Sequence, residues 1–380
     1  MTKAYLSKRA VADLRQTNLL KEGLQEMQRN QYSRNDNADG LISLGVAENK
    51  LMQEELLQKL PSLFELDYAH LQYGLPHGSV ELRTHVAKLL NKYFDPKTPV
   101  HPDHITVTNG VSAAINGLSY AICDPGDAVL ITAPYYGTFD SDVTVRSGAR
   151  TITVNLEGRS PFDVDHVESL ESAYQKAVAD GINVRAMIIC NPHNPLARCY
   201  SRAVIERLLR FASKHNLHAI FDEVYALSDF DHIIGDSKSD PFMSVLSLDN
   251  LASLIDPALV QVVYGISKDF CLNGFRVGFH ISPWNPDVVN AMKAIAYVIK
   301  FCNDILIHIL LSYFWVPRWV GKSWLDVEKR GVIREQFVTL ILAADLGYVR
   351  GVCGRDFTWV SSATEALVIN MLSDDTWVDW

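Results

Sequence analysis

From about residue 60 to 296 the chain alternates short apolar, β-branched runs with helical stretches. "HITVTNG" reads as a strand entering a loop, and "VSAAINGLSYAI" as a helix of small and apolar residues. "DAVLITAP" and "VRAMIICNP" are further strands, the second followed by the helix "SRAVIERLLRFASKH". "HAIFDEVY" and "LVQVVYG" are two more. Strands apolar on both faces, alternating with helices, predict an α/β fold: a mostly parallel sheet covered on both sides. Ligands of such sheets gather at the carboxyl ends of the strands. The unusual residues of this sequence fall there: "NG" after 108, "NPHNP" after 190, "DEVY" after 221 and "GISK" after 264.

Composition narrows the function. The 380 residues suffice for a large core and two lobes. A net charge of −9 and the lack of a strongly basic run argue against a nucleic-acid surface. Six scattered cysteines, with no CxxC pair and no Cys/His cluster, suggest neither a metal site nor a disulfide framework. The expectation is reduced thiols in a cytoplasmic protein, since the N-terminus lacks the apolar core of a secretory signal. The stretch 298–316 carries Lys300, Asp304 and His308 within its apolar residues. Its uninterrupted apolar part falls short of the roughly 20 residues a span needs, so a buried helix is expected.

Within "VVYGISKDFCLNGFRVGFHI", 262–281, two buried strands flank a loop holding Lys268 and Arg276. A buried cation is costly unless an anion meets it. Gly110, Val111 and Ser112 open a helix, where free N–H groups and the helix dipole favour an anion, unless Ser112 is only an N-cap. Tyr136, in "APYYGTF", can lie flat on an aromatic ligand or simply fill the core. Asn194, between two Asn-Pro steps, can aim its amide at a ligand oxygen or merely shape a turn. Asp222 ends a buried strand and needs a cation or several donors, unless it caps a helix. Tyr225 follows three residues later, expected one helical turn away on the same side. One ligand answers all of these: an anionic group for Ser112 and Arg276, a flat ring for Tyr136, a ring oxygen for Asn194 and Tyr225, a basic ring nitrogen for Asp222, and something for Lys268 to bond. Pyridoxal phosphate has each of them.

The motifs also carry a resemblance. "YGLPHGSVELR", "CNPHNP", "FDEVY" and "SKDFCLNGFRVG" resemble, in order and spacing, the motifs of fold-type I pyridoxal-phosphate enzymes of the aminotransferase class I/II family. "LISLGVAENKL" is similar to a segment of its 1-aminocyclopropane-1-carboxylate (ACC) synthase-like branch. The resemblance implies that Lys268 forms the Schiff base and then moves the Cα proton. It implies that Asp222 pairs with the pyridinium nitrogen and that Asn194 and Tyr225 hold the phenolic oxygen. Ser112, Ser267 and Arg276 would hold the phosphate, and Tyr136 would stack on the ring. Tyr73 would reach the neighbouring subunit's phosphate, implying a homodimer with shared active sites. Glu48 would lie near the substrate side chain.

Two departures stand out. Three residues before the lysine, the family's usual phosphate-binding serine is replaced by Gly265. Further on, the family pattern stops near Ala296 and resumes at 357–380, "FTWVSSATEALVINMLSDDTWVDW". Six of the seven tryptophans lie after residue 300, a shift in composition that suggests translated intron sequence followed by a premature stop, with a genuine insertion as the alternative. The expected organisation is 1–60 as the N-terminal segment of a small domain, 61–296 as the cofactor-binding large domain, 297–356 as an insertion, and 357–380 as the start of a truncated small domain. The expected activity is an ACC synthase-like lyase acting on an α-amino acid. An aminotransferase, or a cofactor-binding remnant without turnover, are the alternatives.

Overall fold

The computed structural model describes residues 5–15, 19–33, 35–41, 53–60, 68, 72–228 and 240–298. Glu48 and everything beyond 298, including the apolar stretch, nearly all of the expected insertion and the expected small-domain start, lie outside the described residues.

Among the described residues, three N-terminal helices, α1 (Lys8–Arg15), α2 (Leu19–Arg29) and α3 (Gln53–Lys59), precede the main body. Helix α4 (Val80–Tyr93) begins at Ser79, whose hydroxyl accepts the Leu82 N–H at 3.1 Å. Its Leu82, Val86, Leu89 and Leu90 are buried. The chain then runs β1 (Ile105–Thr108), α5 (Val111–Ile122), β2 (Ala128–Thr132), α6 (Phe139–Ser147) and β3 (Arg150–Val154). It continues through α7 (Val167–Ala179), β4 (Val184–Cys190), α8 (Arg202–Lys214) and β5 (His218–Asp222). The short α9 (Leu251–Leu254), β6 (Val260–Gly265), β7 (Gly278–Ile281) and α10 (Pro286–Val298) complete it.

Seven strands form one sheet in the order β1-β7-β6-β5-β4-β2-β3. Only β7 runs antiparallel to its neighbours β6 and β1; the other pairings are parallel. The mostly parallel α/β sheet expected from the apolar runs is therefore present. Side chains alternate across it. Met187 and Ile189 of β4 join one apolar layer with α8, while Ala186, Ile188 and Cys190 join the other with α5. Helix α8 is capped by Ser201, which accepts the Val204 N–H at 3.3 Å, and it buries Val204, Ile205, Leu208, Leu209 and Phe211. Each such burial stabilises by roughly 1.5–3 kcal/mol, so this face outweighs any propensity term.

Strands β1, β2, β4, β5 and β6 run parallel to one another and end along one edge of the sheet. Helix α5 begins at that edge. A Cβ at Gly278 would stand 2.6 Å from the Val111 nitrogen, so only glycine lets the start of α5 sit this close to β7. Among the described residues no helix is long and apolar enough to cross a membrane, and no His/Cys/Asp/Glu group is placed to hold a metal.

Candidate functional site

The side chains singled out in the sequence converge at the strand ends. Strand β5 ends in Asp222, which is buried, its Oδ1 accepting the Val224 N–H at 3.2 Å. Burial pushes its carboxyl up to about 7, and the nearby Asp142 carboxylate adds to the rise, while Lys268 opposes it. The segment after Asp222 is a turn at 224–227, not the helix expected from the sequence. It still brings Tyr225 beside Asn194, whose Nδ2 donates to the Tyr225 hydroxyl at 3.3 Å. Lys268 Nζ lies 5.7 Å from the centre of the Tyr225 ring. Tyr136, half-buried, meets Phe139 edge-on with ring centres 5.5 Å apart. Ser267 is half-buried next to Lys268. Tyr73 is almost wholly exposed, at 96%, on the surface.

The start of α5 carries the strongest electrostatic signal. Gly110, at φ 81°, is the N-cap. Ser112, the second residue of α5, is therefore not the cap. The guanidinium of Arg276 lies against Gly110: a Cβ there would overlap Nη2 and stand 3.0 Å from Cζ. Arg276 itself takes the left-handed conformation, φ 56° and ψ 51°, and its Nη1 donates to the Asn273 carbonyl at 2.9 Å. A guanidinium at the positive end of a helix is electrostatically adverse by itself, since both repel. A phosphate between them satisfies both, which is the fit expected of a phosphate-bearing cofactor. The buried carboxyl of Asp222 has the complementary need, a cationic or strongly donating partner. A protonated pyridine nitrogen provides one. The residues present thus fit pyridoxal phosphate.

Gly265, where the family's serine is missing, has a local explanation. A Cβ there would stand 2.9 Å from Cγ2 of Val111 and 3.1 Å from the Val277 carbonyl oxygen. The Val111 methyl fills the space that a side chain at 265 needs.

Several contributors escaped the sequence reading. Asp269 is buried and accepts from the Tyr264 hydroxyl at 2.9 Å, the Ser228 hydroxyl at 2.7 Å and the Leu227 N–H at 3.0 Å. It ties the turn bearing Tyr225 to the loop bearing Lys268. Glu223, buried beside Asp222, accepts from the Ser244 hydroxyl at 2.7 Å and the Val245 N–H at 2.8 Å. Burial pushes its carboxyl up to about 8. Both lie inside quoted motifs, as the second residue of "DEVY" and the third of "SKD", which was the available signal. Asp142 had none.

Comparison with known proteins agrees with this geometry. The aminotransferase class I and II family model matches residues 39–306. A probable aminotransferase of Claviceps purpurea, tcpI, is 39% identical over 258 residues, covering 66% of this chain and 58% of that protein. The bovine ACC synthase-like protein 1 is 36% identical, covering 68% of this chain and 51% of the relative. A human probable inactive ACC synthase-like protein 2 is 34% identical, covering 78% and 52%. The chain thus spans about half the length of these curated relatives. Among solved structures, Thermus thermophilus aspartate aminotransferase superposes with a TM-score of 0.62 at 20% identity, covering 88% of this chain and 78% of that one. An archaeal alanine:glyoxylate aminotransferase gives 0.66 at 23%, covering 83% and 72%. These two likenesses establish the fold. With the family model spanning more than half of the chain and its sheet matching those structures, the protein belongs to the aminotransferase class I and II family.

Proposed function

We propose that this chain holds pyridoxal phosphate at the strand ends and acts on an α-amino acid. The observation that carries the reading is the meeting, at one sheet edge, of a buried Asp222, the Asn194–Tyr225 pair, Lys268, and Arg276 at the start of α5. Pyridoxal phosphate, the family's cofactor, supplies a reactive aldehyde and an electron-accepting ring. Lys268 is the residue to attach the aldehyde, and its Nζ the group to move the proton at the substrate Cα. Asp222 holds a proton on the ring nitrogen. Asn194 and Tyr225 hold the ring oxygen, and Tyr136 covers the ring face. Arg276, Ser112, Ser267 and the N–H groups after Gly110 bind the phosphate. Two copies sharing sites through Tyr73 complete the reading, supported by that side chain's exposure of 96%.

Within this frame we infer lyase chemistry, elimination at the β or γ carbon of an amino acid such as S-adenosylmethionine. The "GVAENK" segment and the ACC synthase-like relatives support it. The Claviceps relative favours the second reading, transfer of the amino group to a 2-oxo acid. The human relative favours a third, cofactor binding without turnover. Product analysis separates them. Lyase chemistry releases methylthioadenosine from S-adenosylmethionine without a 2-oxo acid. Transfer gives a keto-acid-dependent half-reaction with alanine or glutamate. Neither product, with cofactor bound, leaves the third.

A further inference from the structure

Asp269 follows Lys268 directly in the chain, and its buried side chain reaches two other elements. Its Oδ2 accepts from the Tyr264 hydroxyl and the Leu227 N–H, and its Oδ1 accepts from the Ser228 hydroxyl. Three donors compensate a carboxylate taken out of water. Tyr264 lies in β6, fully buried, its ring edge-on to Phe94 with centres 5.0 Å apart. Leu227 and Ser228 close the turn that carries Tyr225, and the Ser228 N–H donates to the Tyr225 carbonyl at 2.9 Å. On the lysine side, the Lys268 carbonyl accepts the Cys271 N–H at 3.1 Å and the Ile266 carbonyl accepts the Leu272 N–H at 3.3 Å. One carboxyl thus joins a core tyrosine, the lysine loop and the tyrosine turn.

The junction stands where the sheet stops acting. The register of β5 on β6 ends at Asp222 and Val263, so beyond these residues the ladder no longer fixes one loop against the other. Lys268 and Tyr225 leave the two loops past that point. Lys268 Nζ lies 5.7 Å from the centre of the Tyr225 ring, and the Tyr225 hydroxyl accepts from Asn194 at 3.3 Å. We propose that Asp269 is the positioning residue that sets Lys268 against the Tyr225–Asn194 pair, so that the amine meets the aldehyde of pyridoxal phosphate while the hydroxyl meets the neighbouring ring oxygen; this rests on the reading of the sheet edge as the cofactor site. Asp269 acts through those side chains.

Substitutions at 269 separate the tie from the charge. In Asp269→Asn, the amide oxygen can take the place of Oδ2 and accept from Tyr264 and Leu227, and the amide nitrogen can donate to the Ser228 hydroxyl, which also accepts. The ties survive and the charge goes. Asp269→Ala loses both and leaves a buried hydroxyl and a backbone N–H without this acceptor. Any through-space effect of the carboxylate charge appears in both variants, and the effect of the ties only in alanine.

The test mixes the full natural chain, Asp269→Ala, Asp269→Asn and Ser228→Ala with pyridoxal phosphate. Covalent attachment replaces the aldehyde oxygen with the Lys268 nitrogen and releases water, so its rate reports where the amine stands. Once attached, that nitrogen titrates, and donors on the neighbouring ring oxygen favour its deprotonated form, in which the oxygen's negative charge is uncompensated. Losing them raises the midpoint. Asp222, Lys268 and Arg276 are common to all four chains. Stopped-flow absorbance reads the rate, a pH titration of the same band reads the midpoint, and calorimetry with inorganic phosphate reads the anion site separately.

Asp269→Ala attaches the cofactor roughly tenfold or more slowly and its midpoint rises by about one unit, while inorganic phosphate binds within about threefold of the natural chain. Asp269→Asn recovers the rate and the midpoint. Ser228→Ala, which loses one tie, shifts both in the same direction by less. A natural rate and midpoint in Asp269→Ala, or no recovery in Asp269→Asn, overturn the inference whatever happens to thermal stability. A loss of phosphate binding as large as the loss of rate marks a merely structural role and overturns it too. A natural chain that binds phosphate but forms no adduct on Lys268 overturns the cofactor reading and the inference with it. Should Asp269→Ala fail to fold, Ser228→Ala decides: a slower rate with a raised midpoint supports the role, and natural values refute it.

Discussion

Arg276 and Gly110 are in direct contact: the guanidinium rests on the helix cap so closely that a Cβ at position 110 would collide with it. The contact puts two sources of positive potential at one point, the arginine and the first N–H groups of α5. That arrangement gains from an anion. Gly110→Ala is therefore expected to displace the guanidinium and strain the cap, which sits at φ 81°. Cofactor affinity should fall by at least tenfold, read from fluorescence titration, with a smaller loss of thermal stability. Unchanged affinity would show that the arginine does not contribute to the phosphate site.

Val111 and Gly265 form a second coupled pair. Gly265→Ser places a Cβ 2.9 Å from the Val111 methyl, so the single change should destabilise the chain by about 1–3 kcal/mol and weaken cofactor binding. Val111→Ala makes room. The double variant should recover stability relative to Gly265→Ser and bind cofactor more tightly than the natural chain, because an added hydroxyl hydrogen bond to a charged acceptor contributes roughly 1.5–3 kcal/mol. A double-mutant cycle with additive effects would contradict the packing argument.

Asp222→Asn should leave the cofactor bound and slow hydrogen exchange at the Cα of a bound amino acid by about a hundredfold or more, the scale of a lost acid–base partner. Exchange by nuclear magnetic resonance, at saturating cofactor, reads this directly. A rate within a few-fold of the natural chain would remove Asp222 from the ring nitrogen.

The pH dependence of stability follows from the buried carboxyls and histidines. Asp222 and Glu223 are raised to about 7 and about 8 in the fold, so the native state holds more protons than the unfolded one above the ordinary carboxylate range. Their contribution is present at low pH and is lost as pH rises through those values. Buried His193, His218 and His280 are lowered to about 3, 4 and 3, which makes stability rise with pH until the unfolded histidines lose their protons near 6.5. The two trends oppose each other below that point. Above it only the carboxyl loss continues. Denaturant unfolding of the cofactor-free chain should show stability falling between about pH 6.5 and 8.5, by up to roughly 1.4 kcal/mol per unit for each group. Glu223→Gln should flatten the decline. Stability that rises across this window would contradict the assignment.

The sequence made some of this legible and hid the rest for physical reasons. Strands β2, β4, β5 and β6 declare themselves because burial on both faces demands unbroken apolar runs such as "AMIIC" and "VQVVYG". Strand β3, "RTITV", was missed because it lies at the sheet edge and leaves Arg150 and Thr153 exposed, so nothing forces an apolar run. Lys268, Arg276, Asp222 and Asn194 were legible because charged and amide groups at the ends of buried strands need a reason to be there. Ser112 was legible only as a helix-start hydroxyl. The side chain of Val111 likewise has no one-dimensional signature, because what it excludes sits on β6.

The most direct test of the account is the covalent site of the cofactor. The chain is incubated with pyridoxal phosphate, reduced with borohydride, digested and mapped by mass spectrometry. The account predicts one reduced adduct, on Lys268, that is lost in Lys268→Ala. A stable adduct on another lysine, or one that survives Lys268→Ala at full yield, would contradict it.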